Sequence, residues 1–396
     1  DRAYREKIWK KITSTRLSHR ETLDALFTDL VQLRTQIAEN AGYKSYSDYK
    51  FMELGRFDYK REDCYDFHNS IEQLIKPQLL KLSEARRKNL DVDTLYHWDI
   101  NVDELGEQPL KPFGNTDELI DKTLSIFDRL DDRMSNFIRA MKDMGHLDLD
   151  SRLGKAPGGY QYSLPETRIP FIFMNAVGTQ SDLTTMLHEA GHAIHSFAAR
   201  DIDLAAFNRV PSEVAELAAM TMELITLDYW NELYDDPKEV ARACRDQILR
   251  CITLLPWIAS IDAFQFWVYD HPNHTHAERA AKWKEIFLRF HGDYVSWEDH
   301  EAVLESFWQK QGHVFDVPFY YIEYGFAQLG AIAVWRNYRR DPDKGLADYL
   351  NALSMGYTRP IPELYEAAGI RFDFSEGYIR ELVEFLLEEL KKYEVN

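Results

Sequence analysis

The sequence predicts a mostly α-helical protein with one small β ribbon. Three observations carry this expectation. Apolar residues recur three and four positions apart along most of the 396 residues. A single region, 154–180, interrupts that period with glycine, proline and β-type residues. Hydrophobic residues make up 45% of the chain and aromatics 13%, enough to fill a sizeable packed core.

Taken in order, residues 1–40 read as helix, with Leu23, Leu26, Phe27 and Leu30 recurring among charges. The opening "DRAYREKIWKK" is a charged amphipathic helix and not a signal peptide. Residues 60–88, 115–145, 237–270 and 276–291 follow the same period. So do residues 376–393, where Ile379, Leu382, Val383, Leu386 and Leu390 face one side. The glutamates opposite them read as a solvated face, not a binding tail. In "GKAPGGYQYSLPETRIPFIFMNAVGTQ" the spacing predicts a hairpin over about 158–176. Pro165-Glu166-Thr167 lie near its turn, and Ile169–Asn175 form a strand. This ribbon runs into a helix at about 181–199, and another helix is expected at about 212–233. There is no internal repeat, low-complexity segment or flexible linker, so residues 1–396 are expected to form a single helical unit.

The formal net charge is -19. Such a chain repels phosphate backbones and anionic lipid, which argues against nucleic acid and membrane surfaces as partners. The most apolar stretch, "LLPWIASIDAFQFWVY" (254–269), contains Pro256 and Asp262 and falls short of a membrane span. Cys64, Cys244 and Cys251 form no CxxC pair, so neither a disulfide framework nor a thiolate metal site is expected. Cys244 and Cys251, seven apart, read as small core residues two turns apart on one helix. A reducing cytoplasm is the expected compartment.

Residues 186–197 read "MLHEAGHAIHSF". On a helix, residues four apart lie about 40° from one another and about 6 Å along the axis. His188 and His192 can therefore aim two imidazoles at one ion. Glu189 falls about 100° from His188, beside the ion and not on it, where a carboxylate can take a proton from water. Gly191 fits this reading, because a mid-helix glycine costs about 1 kcal/mol relative to alanine and needs a packing reason. Leu183, Met186, Leu187, Ala190, Ile194 and Phe197 supply a buried stripe.

A catalytic zinc wants three protein ligands and one open position. His195 is one candidate for the third ligand, but it lies seven residues, roughly 10 Å, from His188 and is expected off the metal. The other candidates are in "RVPSEVAELAAMTMEL" (209–224), where Pro211 and Ser212 mark a helix start. Glu213, Glu216 and Glu223 fall close to one face of that helix. A crossing helix could place one glutamate on the metal and another against a ligand's imidazole N–H. The small apolar residues Ala215, Leu217, Ala218, Ala219 and Met220 favour close packing over exposure. A further histidine group, "HPNHTHAER" (271–279), reads as a surface turn and helix cap marked by Pro272 and Thr275.

The string "HEAGHAIHSF", followed by "ELAAMTMEL", resembles the thimet oligopeptidase and oligoendopeptidase F family of zinc metallopeptidases. The bacterial oligoendopeptidase branch fits best. That family carries HExGHxxH and then E-x-[AP]-[SA]-x-x-x-E. Here Glu216 opens the second segment and Glu223 closes it, with Glu213 outside the frame. "PFIFMNAVGTQSDLTTMLHEAGH" (170–192), "FYYIEYGFAQLGAIAVW" (319–335) and "ELYEAAGIRFDFS" (363–375) are similar to further family segments.

The resemblance implies a multi-helical zincin-type fold with a substrate cleft. It also implies one Zn2+ per chain on His188, His192 and Glu216, Glu189 as general base, and oligopeptide substrates. Tyr321 and Tyr324 match the family's tyrosine positions, and with His313 and Tyr320 they are candidates to bind substrate or its oxyanion. Phe173 and Asn175 lie on a strand that could hold a peptide by β-addition. Two departures stand out. "HVFDVPFYYIEY" (313–324) lacks the glycine-rich loop of animal members, so loop flexibility is not carried over. The family also has a helical region ahead of the point where this chain begins, so a missing N-terminal segment of the same protein is an expected partner. Two other functions are compatible with the sequence. One is a related helical zinc carboxypeptidase using Arg359 or Arg371 to hold a substrate carboxylate. The other is a catalytically impaired peptide-binding fragment.

Overall fold

The computed structural model describes residues 1–393. The chain is mostly helical, with one three-stranded sheet among the described residues. It divides into two compact units. Unit 1 comprises Asp1–Gln108, Ile252–Gly325 and Phe374–Arg380. Unit 2 comprises Pro109–Cys251, Phe326–Asp373 and the chain from Glu381 onward.

Unit 1 packs its helices around large rings. Phe27, Phe67, Phe264, Trp283, Phe287 and Trp308 are fully buried. Charges taken into this core are paired: Arg279 bonds Asp24, and His68 lies 2.9 Å from Asp262. The 271–279 segment is the turn and cap expected of it. Thr275 caps the helix His276–His291 in a capping box with Glu278.

The 34-residue helix Pro237–Asp270 is long and apolar enough to cross a membrane by length and composition, contrary to the reading of 254–269. However, 72% of its most apolar window is buried within the protein. Asp262, fully buried on this helix and bonded to His68, suits a core helix. Cys244 and Cys251 lie on it as buried free thiols, both pushed up to about 12 by burial.

Unit 2 contains the sheet. Strands β1 (Leu147–Asp150), β2 (Tyr160–Tyr162) and β3 (Phe171–Ala176) stand in the order β1-β3-β2. β2 and β3 are the expected antiparallel hairpin, paired Tyr160↔Phe173 and Tyr162↔Phe171. β1, which runs parallel to β3, was not anticipated. Ile172, Met174 and Ala176 point into the core, and Phe171, Phe173 and Asn175 occupy the other face.

Gly178, at φ +95°, turns the chain from β3 into the next helix. That helix, Gln180–Ala198, starts with a capping box in which Thr179 and Asp182 satisfy each other's backbone N–H. The Asp182 carboxylate also accepts from the Val177 N–H. The helix Ser212–Ile225 follows and ends sooner than expected. Thr226–Glu232 continue as a 3-10 helix.

Candidate metal centre

The two helices that carry the motif residues cross almost backbone to backbone. A Cβ at Gly191 would lie 2.6 Å from the Ala219 Cα and 2.9 Å from the Ala218 carbonyl oxygen. Only glycine permits that approach. Every residue from Val214 to Ile225 except Ala215 is buried, and two tyrosines bond to carbonyls of this helix. The Tyr349 hydroxyl donates to the Ala218 carbonyl at 2.8 Å, and that of Tyr365 to the Glu213 carbonyl at 3.1 Å.

The crossing brings Glu216 against the histidine pair. Its Oε2 lies 3.3 Å from the His188 Nε2 and 3.9 Å from the His192 Nε2. One ligand atom from each of the three residues lies within 4.8 Å of the others. Metal–ligand bonds of about 2.0–2.2 Å in a tetrahedral arrangement place neighbouring donor atoms roughly 3.3 Å apart. Both the His2Glu donor set and its spacing therefore fit zinc. Among the described residues no other group of three or more such side chains meets this geometry.

The ligand rings are oriented from behind. The Glu223 Oε1 lies 2.7 Å from the His188 Nδ1, which turns Nε2 toward Glu216. Gln247 in turn donates to the Glu223 Oε2 at 2.7 Å. His192 is held through the backbone of Ala215.

Electrostatics separate the two imidazoles. Burial disfavours charge on His188, but the bonds to Glu216 and Glu223 outweigh it and raise its pKa. Burial and the neighbouring His188 push His192 down to about 4, against the pull of Glu216. Glu189 is pushed up to about 7 by burial, with the backbone of Gln161 bonded to its carboxylate.

His195 does not join the group. It is buried, pushed down to about 3 by desolvation, and its Nε2 has no hydrogen-bond partner among the described residues. Glu213 is buried outside the cluster.

A profile of Peptidase family M3 matches residues 1–384. The chain belongs to peptidase family M3. It is similar to the chromosomal oligoendopeptidase F of Lactococcus lactis subsp. cremoris, with 26% identity over 339 residues, 80% of this chain and 52% of that protein. The plasmid oligoendopeptidase F of the same organism is 26% identical over 207 residues, 51% of this chain and 33% of the relative. Pz peptidase A, solved with an inhibitor, shares 29% identity at a TM-score of 0.92, over 99% of this chain and 69% of its own. This M3 chain thus spans about half the length of the first of these relatives.

The remaining candidates fall into two places. His313, Tyr320, Tyr321 and Tyr324 cluster within unit 1. The His313 ring lies 5.1 Å from Tyr321, 5.8 Å from Tyr320 and 5.9 Å from Tyr324, centre to centre. The segment is tied down by backbone contacts. Phe319 sits at φ +65°, its N–H bonded to Gln265 and its carbonyl to Arg56, which also pairs with Glu323 at 2.5 Å. Arg56 and Gln265 had no sequence signal, nor had Gln247 behind the metal group.

Phe173 and Asn175 lie on β3, in unit 2. The Phe173 ring is stacked on Tyr160 at 4.9 Å with the Lys155 ammonium 4.5 Å away, and the Asn175 Nδ2 donates to the Ala156 carbonyl at 3.2 Å. β3 is the central strand, paired with β1 on one side and, over Phe171–Phe173, with β2 on the other, so that stretch has no open edge for the added peptide strand the sequence suggested. The outer edges of the sheet belong to β1 and β2. Gln161 turns its backbone toward Glu189, and its side chain bonds Ser196 of the HExxH helix at 3.1 Å.

Proposed function

We propose that this M3 chain is a zinc-dependent peptidase that cleaves internal bonds of short oligopeptides. His188, His192 and Glu216 would hold one Zn2+, with Glu189 as general base. The observation that carries the reading is the convergence of the Glu216 Oε2 on both histidine Nε2 atoms, with the buried Glu189 adjoining in the same helix. Zinc bound there supplies a Lewis acid for the scissile carbonyl and acidifies an attacking water.

The protein's own groups do the rest. Glu189 takes the proton from the attacking water and delivers it to the leaving amine. Glu223 keeps the His188 ring in register. The outer edge of β2 offers the carbonyl of Gln161, whose N–H is held by Glu189, to pair with an extended peptide, which reads no side chain and favours broad specificity. Phe173 and Asn175, engaged within the ribbon, support that edge from behind. Tyr321, Tyr324 and His313 are proposed as oxyanion donors, with Tyr320 as a substrate contact, on their chemistry and the family resemblance. A cytoplasmic location belongs to the same reading and suits three buried free thiols.

A carboxypeptidase would need a cation set aside for the substrate's carboxylate. Arg359 lies 3.7 Å from Glu363 and Arg371 lies 3.3 Å from Glu381, so each already faces a carboxylate.

The test combines metal analysis with mass spectrometry of a peptide mixture incubated with the protein. About one zinc per chain and internal cleavage are expected. Glu189→Gln should retain the zinc and lose turnover by about 10²–10⁴-fold. A protein that purifies without zinc and takes none up, or a fully active Glu189→Gln variant, would sink the mechanism. Release of single C-terminal residues only would favour the carboxypeptidase. Zinc binding without any cleavage would favour the peptide-binding fragment.

A further inference from the structure

A cavity of about 430 Å³ lies within unit 1, between the junction of helices Arg2–Ser18 and Arg20–Asn40 and the segment 303–310. Its size falls in the range of small-molecule sites. Leu17, Leu23, Val303 and Phe307 give it an apolar wall, while Arg16 and Lys310 bring two cations to it.

The charges here run against the rest of the molecule. The chain carries 66 acidic residues against 47 basic ones, yet no aspartate or glutamate lines this cavity. The Arg16 guanidinium makes no ion pair or hydrogen bond among the described residues. The Lys310 ammonium makes no ion pair or hydrogen bond among the described residues and lies 3.7 Å from the ring centre of Phe307 and 4.1 Å from that of Trp257. Glu305, in the segment beside the cavity, is already paired with Arg20 at 3.1 Å. Crowding, and then repulsion from Arg16, push the Lys310 ammonium down to about 8, with no carboxylate offsetting either. Two like charges at the mouth of an apolar pocket are each stabilised by an anion placed between them.

We propose that this cavity is a binding site for a small organic monoanion, a carboxylate carried on an apolar body. The carboxylate would lie between Arg16 and Lys310, and the apolar body against Leu17, Leu23, Val303 and Phe307. Two cations and a mostly apolar wall suit one negative charge with a hydrophobic tail better than a polyanion such as a nucleotide.

The probe is 4-phenylbutyrate, titrated calorimetrically into the whole chain with chelator present so that no metal competes for the carboxylate. Its uncharged counterpart, 4-phenyl-1-butanol, is the control. Saturable binding of the acid is expected, with the alcohol at least about tenfold weaker, and with at least about tenfold loss in Lys310→Gln and in Arg16→Gln. Arg16 is exposed, so Arg16→Gln decides the matter should Lys310→Gln fail to fold. Equal binding of acid and alcohol would overturn the proposal. So would an unchanged affinity in Arg16→Gln, or no binding of the acid at millimolar concentration.

Discussion

Gly191→Ala isolates the feature on which the metal group depends. Two effects oppose each other. In a helix interior alanine is favoured over glycine by about 1 kcal/mol. Against this, the new Cβ would sit 2.6 Å from the Ala219 Cα and 2.9 Å from the Ala218 carbonyl oxygen, where carbon atoms in contact prefer about 3.5–4.0 Å. Both neighbours are backbone, so no side chain can swing away and the helices must part by roughly 1 Å. Overpacking of this kind costs about 1–3 kcal/mol, and a backbone clash belongs at the upper end.

The expected net loss is therefore about 1–2 kcal/mol, or a fall in Tm of roughly 2–8 °C for a unit of this size. Glu216 lies one turn before Ala219, so the same separation draws its carboxylate away from His188 and His192. A misplacement of about 1 Å in such a site is worth on the order of 100-fold. Thermal unfolding of the metal-free variant reads the first effect, and competition with a chromophoric chelator reads zinc affinity. If Gly191→Ala melts at or above the parent temperature and binds zinc as tightly, the helices do not cross at backbone contact, and Glu216 loses its claim as third ligand.

Two further outcomes follow from groups behind the sites. Gln247→Leu removes the donor to the Glu223 Oε2, loosening the carboxylate that orients His188, and should lower zinc affinity by about 10–100-fold in the same chelator assay. Unchanged affinity would confine Gln247 to packing. In unit 1, burial and the charges of Lys310 and Arg16 push His97 down to about 4, and burial with Lys310 nearby pushes His291 down to about 3. His97 accepts from the Trp9 indole, and His291 stacks on Phe287 beside Ser260 and Tyr294. Both rings fold neutral, so their contribution is complete above the unfolded value of about 6.5 and is lost as pH falls toward the folded values. At pH 5 each should cost about 2 kcal/mol. His291→Gln should flatten the dependence of urea unfolding on pH between 7 and 5 by about that amount, and an unaltered slope would refute the assignment.

What could be read from the sequence was what lies close along the chain. His188, Glu189 and His192 share one helical turn, so their roles depend only on helix geometry, which local pattern determines. The third ligand required a second helix and its crossing point. The glycine at 191 and the alanines at 218 and 219 carried that information, but only as a pair; periodicity left three glutamates open, and it was the family resemblance that singled out Glu216. Gln247 and Arg56 were beyond reach because each acts on a carboxylate or carbonyl supplied by a distant segment, and an isolated glutamine or arginine has no periodicity to mark it. The strand β1 is four residues, Leu147–Asp150, two of them aspartate. Its strand character comes from pairing with β3 and not from its own propensity. That same pairing explains the misplaced β-addition. Whether a strand is central or at an edge belongs to its neighbours, so a β-type run such as 169–175 could announce a strand but not whether its edge is free. Placing β1 on one side of β3 and β2 on the other moves the outer edges to those two strands, and of the two it is β2, Tyr160–Tyr162, whose Gln161 backbone faces the carboxylate that would act on a bound peptide.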